Sequence, residues 1–195
     1  MYLPKSLPDE LFFSRLVRHC ILIGMETRDY MNNYFGSPKK SVHPFLTANF
    51  IGYKKSSEED YYSIIQNQTL APLFIFFLPK YSNRILEELF LGNTAKAFRY
   101  CQLPSFKARE RTLLYSCSRC VIEDIEKHGV SYWHKQHHIP GCHVCANHGI
   151  YLTSLELPER LTIDPKLLPE ASNNFLEASN NPESVTLSAD TAQIR

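Results

Sequence analysis

Apolar residues recur at three- and four-residue spacing over residues 9–23, and this period predicts an amphipathic helix that Gly24 ends. Three polar side chains, Arg15, Arg18 and His19, fall on another face of this helix. The apolar face consists of Phe13, Leu16, Val17, Cys20 and Ile21. The apolar face is expected to pack against the core.

A second helix is predicted over residues 28–35, where Thr27 can cap the first turn and Gly36 can end the last. Two helices joined by a short glycine-containing turn match a helix-turn-helix arrangement. Three side chains of the second helix are of types that hydrogen-bond to base edges in DNA: Arg28, Asn32 and Asn33. Base reading by this helix is one hypothesis, and an ordinary pair of packed helices is the alternative.

Helical signals continue through the first hundred residues. Capping and stop residues predict helices at 44–53, from Ser57 onward, at 83–91 and at 94–103. The run Thr69–Leu78 is the most apolar stretch of the chain and is expected in the core. These patterns predict a mainly α protein that begins with a helical, helix-turn-helix-like bundle.

The composition agrees with a globular protein, because 44% apolar and 21% charged residues exclude a disordered chain or a coiled-coil rod. The chain has no run of about 18 uncharged apolar residues, so no transmembrane helix is predicted. The N-terminus lacks the pattern of a signal peptide. We therefore expect a cytoplasmic protein with reduced cysteines.

The net charge of +1 hides an uneven distribution. Residues 61–120 hold 8 Lys and Arg against 3 Asp and Glu, whereas residues 121–195 hold 5 against 10. The cations concentrate over residues 99–119, and such a strip can contact phosphates. The strip consists of Arg99, Lys107, Arg109, Arg111 and Arg119, and the last four are the residues to which we assign phosphate contact. A solvated connector is the alternative interpretation.

Two close pairs of metal-ligating residues give the strongest signal in the sequence. The pair Cys117 and Cys120 precedes the pair Cys145 and His148, with 24 residues between the two. Each Cys-x2-Cys or Cys-x2-His turn supplies two ligands, and four such ligands in a tetrahedron suit one structural zinc ion. Cys142 also stands in Cys-x2-Cys spacing with Cys145, so an all-cysteine site is the alternative. We prefer His148, because both members of the second pair then lie on one turn.

This interpretation divides the chain into three parts. They are a helical domain over 1–104, a zinc-finger module with short strands over 105–155, and a linker or the start of a truncated C-terminal region over 156–195. Zinc binding in such a module contributes about 10–16 kcal/mol to folding. The neighbouring histidines, His134, His137, His138 and His143, are expected at the surface or behind the ligands.

A four-ligand site leaves no open position for catalysis, and the chain has no phosphate-binding loop of the ATPase type. We therefore expect no enzymatic activity. The weaker alternative is an HNH-type nuclease, because His138, Asn147 and His148 resemble the residues of its metal site. The nine positions between His138 and Asn147 are too few for the hairpin of that family.

The zinc block resembles the TniQ family, and in particular its TnsD-like members. The shared residues are Tyr115, Cys117, Cys120, Gly129, Tyr132, Trp133, Ile139, Pro140, Cys145, His148 and Gly149. The helical part also resembles the family at Pro8, Glu10 and Leu11 and at Thr69, Leu70, Pro72 and Leu73. Ser118 departs from the family pattern, in which proline commonly follows the first cysteine. The resemblance covers about residues 5–155.

The resemblance implies a non-catalytic adaptor for transposition with zinc on Cys117, Cys120, Cys145 and His148. TnsD-like proteins select a target site by binding double-stranded DNA and recruiting an AAA+ ATPase regulator, which brings the transposase. Other TniQ proteins bridge a CRISPR effector complex to the same regulator, and this is the alternative function. We expect nucleoid association in a bacterium, and docking to protein with modest, salt-sensitive DNA contact.

Overall fold

The protein is described by a computed structural model that covers residues 3–48, 59–101, 112–158 and 161–170. The helices are α1 (Phe12–Ile23), α2 (Thr27–Phe35), α3 (Tyr61–Gln68), α4 (Ala71–Phe77), α5 (Ser82–Phe90), α6 (Thr94–Tyr100) and α7 (Ser118–His128). The strands are β1 (Leu113–Ser116) and β2 (Thr153–Glu156). The predicted mainly α fold is confirmed. Within the described residues, no helix is long and apolar enough to cross a membrane.

Helix α1 is buried on all sides over its first nine residues, and this burial includes the polar face of Arg15, Arg18 and His19. Arg15 donates hydrogen bonds to the carbonyl of Pro4 at 2.6 Å and to Gln68 at 3.0 Å, and it pairs with Glu59 at 2.6 Å. His19 is also buried, in hydrogen-bond contact with the Tyr30 hydroxyl at 2.9 Å. Buried polar groups require such partners, which here come from distant parts of the chain.

Two predictions between α2 and α5 are corrected. Residues 44–46 form a turn rather than the start of a helix, and residues 49–53 lie outside the described part. The run Thr69–Leu78 is only partly in the core, because Phe76 is 76% and Phe77 69% exposed. Helix α4 has seven residues and buries only Ala71 and Phe74, so the aromatic end of the run faces outward.

The other predicted helices are confirmed with shifted ends. Helix α3 begins after Asp60, and the predicted start at Ser57 lies outside the described residues. Helix α2 begins at Thr27 itself, and its N-cap is Glu26, which makes no side-chain capping bond. Helices α5 and α6 fall on the stretches predicted at 83–91 and 94–103, although α6 ends at Tyr100.

One apolar core connects the helical part to the chain that follows it. Trp133, Leu114 and Ile163 are buried in the same cluster as the residues of α1 and α2. The backbone continues this connection, since Leu11 donates its N–H to the carbonyl of Trp133 at 3.0 Å. The predicted boundaries at 104 and 155 stay a prediction, but the two parts pack directly against each other.

Candidate metal centre

The first pair of cysteines lies where a strand passes into a helix. Strand β1 ends at Ser116, Cys117 is the N-cap of α7, and Cys120 lies in the first helical turn. The carbonyl of Cys117 accepts the N–H of Val121 at 3.0 Å, which closes that turn. Three-residue spacing at the start of a helix places two side chains on the same side, so the thiols of Cys117 and Cys120 face the same site.

The second pair lies in a tight turn of a hairpin. Cys145 donates its N–H to Ile150 at 2.8 Å, and its carbonyl accepts the N–H of Gly149 at 2.8 Å. Gly149 has a φ of 65°, a left-handed conformation that favours glycine. The turn thereby brings the side chains of Cys145 and His148 to the same side.

The small sheet brings the two pairs together. Strands β1 and β2 are antiparallel, and Ser116 at the end of β1 is paired with Thr153 at the start of β2. The Ser116 and Thr153 hydroxyl oxygens are 3.1 Å apart. Since Cys117 follows β1 and the hairpin precedes β2, this register places both pairs at one end of the sheet.

The four predicted ligands form one cluster, with all four ligand atoms within 4.8 Å of one another. His148 Nδ1 lies 3.3 Å from Cys117 Sγ, 3.4 Å from Cys120 Sγ and 3.6 Å from Cys145 Sγ. The Sγ atoms of Cys120 and Cys145 are 3.7 Å apart. Ligands around a tetrahedral zinc ion are separated by about 3.5–3.8 Å, given Zn–S and Zn–N bonds of about 2.3 and 2.0 Å. The donor set and its spacing therefore fit zinc.

Part of the surroundings of the cluster is apolar. The three cysteines are buried, and Ile150 and Leu152 pack against them. Apolar neighbours of this kind limit the access of water to metal–thiolate bonds.

Glu123, which no sequence motif singles out, lies against the cluster on the His148 side. Its Oε1 lies 3.0 Å from His148 Nε2, on the side of the imidazole that faces away from the sulfurs. A ring that offers Nδ1 to a metal carries its proton on Nε2 and donates it to this carboxylate. The available signal was spacing: Glu123 comes one helical turn after Cys120 on α7.

Cys142 does not join the cluster. Its thiol is partly exposed and lies 3.3 Å from the carbonyl of Val144, which accepts its hydrogen bond. Among the described residues, only Cys117, Cys120, Cys145 and His148 form a group that can hold a metal ion. All six cysteines are free thiols.

The model of the TniQ family matches residues 1–152. The chain belongs to the TniQ family. This membership implies a transposition-associated adaptor role, and TniQ is a non-catalytic adaptor family. Among curated proteins, none matches this chain.

In this TniQ chain, His138 is unsuited to the role of an HNH-type base. Its Nε2 accepts the N–H of Tyr115 at 3.0 Å, and its Nδ1 lies 2.8 Å from the carbonyl of His134, to which it donates. Burial lowers the pKa of His138 to about 3, so the ring stays neutral. Both ring nitrogens are thus occupied, and His138 serves to hold β1 against the chain that follows Trp133.

The histidines before the second pair are more buried than predicted. His134, His137 and His138 are all buried, and only His143 is exposed, so a surface position for the first three is wrong. His134 Nε2 lies 2.8 Å from Asp124 on α7. His137 fits the alternative position behind the ligands, because its Nε2 lies 3.9 Å from Cys120 Sγ.

The predicted DNA contacts fall in two places. Arg28, Asn32 and Asn33 are all exposed on α2, and Arg28 and Asn32 border a shallow surface depression with Glu26, Asp29 and Pro38. Arg119 is exposed in the first turn of α7, directly beside the metal cluster. Arg99 is exposed on α6, and the other three residues of the strip, Lys107, Arg109 and Arg111, lie outside the described residues.

Proposed function

We propose that the protein is a target-site selection adaptor for DNA transposition. It binds attachment-site DNA in the bacterial nucleoid and recruits an AAA+ ATPase regulator, through which the transposase arrives. The observation that carries this proposal is the TniQ match over residues 1–152. The distribution of charge supports it, because an adaptor needs a cationic surface for DNA and other faces for protein.

The proposed role of the metal is structural, with one zinc ion held by Cys117, Cys120, Cys145 and His148. Four protein ligands complete a tetrahedron and leave no coordination position for a substrate. The ion would hold the start of α7 against the hairpin turn at 145–150. Arg119, in the first turn of α7, would thereby be held beside the ion.

Two sets of residues are proposed to contact DNA, one at the phosphates and one at the bases. Lys107, Arg109, Arg111 and Arg119 contribute sequence-independent phosphate contacts, which position a protein without reading bases. The exposed polar residues of α2, Arg28, Asn32 and Asn33, are the candidates for base contacts. Docking to the regulator does not depend on the phosphate contacts.

Co-sedimentation of the purified chain with the ATPase regulator of the same transposon, with and without attachment-site DNA, tests the proposal. We expect the regulator to bind in both conditions and to remain bound when Lys107, Arg109 and Arg111 are all changed to Ala. The same triple variant should bind DNA of every sequence more weakly. Failure to bind the regulator would contradict the adaptor role.

Footprinting on attachment-site DNA tests the base-reading part separately. A sharp footprint that Asn32→Ala or Asn33→Ala removes would establish α2 as a reader. A footprint that these variants leave unchanged would restrict α2 to a packing role.

A further inference from the structure

A cluster of cations and tyrosines covers the junction of α5 and α6. Tyr81, in the short 3-10 turn Pro79–Tyr81, stacks on Tyr100 at the end of α6, with ring centroids 6.0 Å apart and planes inclined by 27°. Lys80 Nζ lies 5.9 Å from the centre of the Tyr81 ring, and Arg84 Cζ lies 5.7 Å from that of Tyr100. We call these four residues the tyrosine–cation patch.

The tyrosines hold the cations in place. Both rings are half-buried and pack against the main core, whereas Lys80 and Arg84 are exposed. Contact of a cation with an aromatic ring restricts a side chain that otherwise samples many rotamers. The charges are therefore presented in fewer arrangements, and a ligand that binds them has less side-chain entropy to overcome.

The cations of the patch have no carboxylate partner within the described residues. Neither Lys80 nor Arg84, nor the neighbouring exposed Arg99, lies in a salt bridge there. The nearest acids in sequence are Glu87 and Glu88. Glu88 is engaged by Asn93 at 2.8 Å and by Lys96 at 3.7 Å, and Glu87 is exposed to solvent.

We propose that the tyrosine–cation patch binds the phosphate backbone of duplex DNA. Its cations already lie over the tyrosine rings, so the surface suits phosphate oxygens better than a stacked base, which needs a free ring face. The basic residues Lys107, Arg109 and Arg111 also follow α6 in the sequence. The patch adds Lys80 and Arg84 to the cations to which we assign phosphate contact. This inference rests on the proposed DNA-binding function.

Fluorescence anisotropy with a labelled DNA duplex of about 30 base pairs tests the patch, at several salt concentrations and with the full chain. We expect Lys80→Ala/Arg84→Ala to weaken binding roughly tenfold at about 100 mM salt and to make the salt slope shallower by about two. The control is Lys127→Ala/Lys166→Ala, which removes the same charge from exposed positions elsewhere. It should bind as the unchanged protein does.

A second pair of variants separates the tyrosine contacts from total charge. Tyr100→Phe keeps the ring beneath Arg84 and should bind DNA normally. Tyr100→Leu removes the ring and should weaken binding by a smaller factor than loss of both cations, at unchanged net charge. Far-UV circular dichroism and zinc content of each variant establish that the protein remains folded.

Unchanged affinity and salt slope in Lys80→Ala/Arg84→Ala would overturn the inference. If the triple variant of Lys107, Arg109 and Arg111 then lost DNA binding, the proposed function would stand without the patch. Loss of regulator binding with unchanged DNA binding would show that the patch contacts protein, which also overturns the inference. Absence of DNA binding by the unchanged protein at low salt would overturn both DNA proposals and leave the regulator assay to test recruitment.

Discussion

Leu11 donates its backbone N–H to the carbonyl of Trp133 across 3.0 Å, and Trp133 in turn donates its N–H to the Ser14 hydroxyl at 3.0 Å. These bonds join the start of α1 to the chain that runs between the two metal-binding turns. The indole Nε1 donates to the carbonyl of Leu167 at 2.6 Å. The helical part and the metal module are therefore connected by backbone bonds as well as by a shared core.

This connection makes Trp133 a reporter of the metal centre. It is the single tryptophan of the chain and is 1% exposed. A chelator that removes the metal should release the two metal-binding turns. We therefore expect a red shift of the Trp133 fluorescence emission together with loss of helical circular dichroism. An emission spectrum unchanged after complete metal removal would contradict the proposed coupling.

Glu123 should strengthen metal binding through His148. Removing a carboxylate that orients a metal-bound histidine typically weakens metal affinity about 10- to 100-fold. We therefore expect Glu123→Ala to lose zinc to a competing chelator at a correspondingly lower chelator concentration. Glu126→Ala is the control, because Glu126 is an exposed acid of the same helix. Equal retention of zinc by both variants would contradict this role.

Glu10 should make stability depend on pH. Burial raises the pKa of this carboxyl to about 7. The positive charge of Arg18, whose Nε lies 3.0 Å from Glu10 Oε1, lowers the pKa but by less than burial raises it. The folded state thus keeps a proton that the unfolded chain loses near pH 4.5, so this contribution to stability is complete below about pH 4.5 and is lost as pH rises through 7. Its size is about 3 kcal/mol at most.

Chemical denaturation between about pH 5 and 8 checks this expectation. Glu10→Gln keeps an acceptor for the N–H of Leu7 but cannot ionise, so its stability relative to the unchanged protein should rise with pH. The exposed Glu87→Gln should show no such trend. Parallel pH profiles for Glu10→Gln and the unchanged protein would contradict the prediction.

The metal cluster could be predicted from sequence because its geometry is local. Cys117 with Cys120, and Cys145 with His148, each lie on one turn, and the spacing alone brings each pair together. Helical spacing along α7 also places Glu123 one turn after Cys120, on the same side of the helix. The helices can be predicted for a similar reason, because the period of their apolar residues and the residues that end them are properties of short stretches of sequence.

The remaining features depend on contacts between distant residues. The polar side of α1 is buried because the carbonyls of Pro4 and Lys5 accept hydrogen bonds from Arg15 and Arg18, an arrangement that no helical period reveals. The stack of Tyr81 on Tyr100 likewise joins two separate elements. Phe76 is exposed although its neighbours in sequence are strongly apolar, because α4 presents only one side to the core.

Native mass spectrometry of the metal content tests the central claim most directly. The account predicts one zinc ion per chain in the unchanged protein and in Cys142→Ser, and none in Cys145→Ser or His148→Ala. Loss of the ion should also unfold residues about 115–155, because metal binding in such modules supplies about 10–16 kcal/mol of folding free energy. A protein without metal, or loss of zinc from Cys142→Ser alone, would contradict the account.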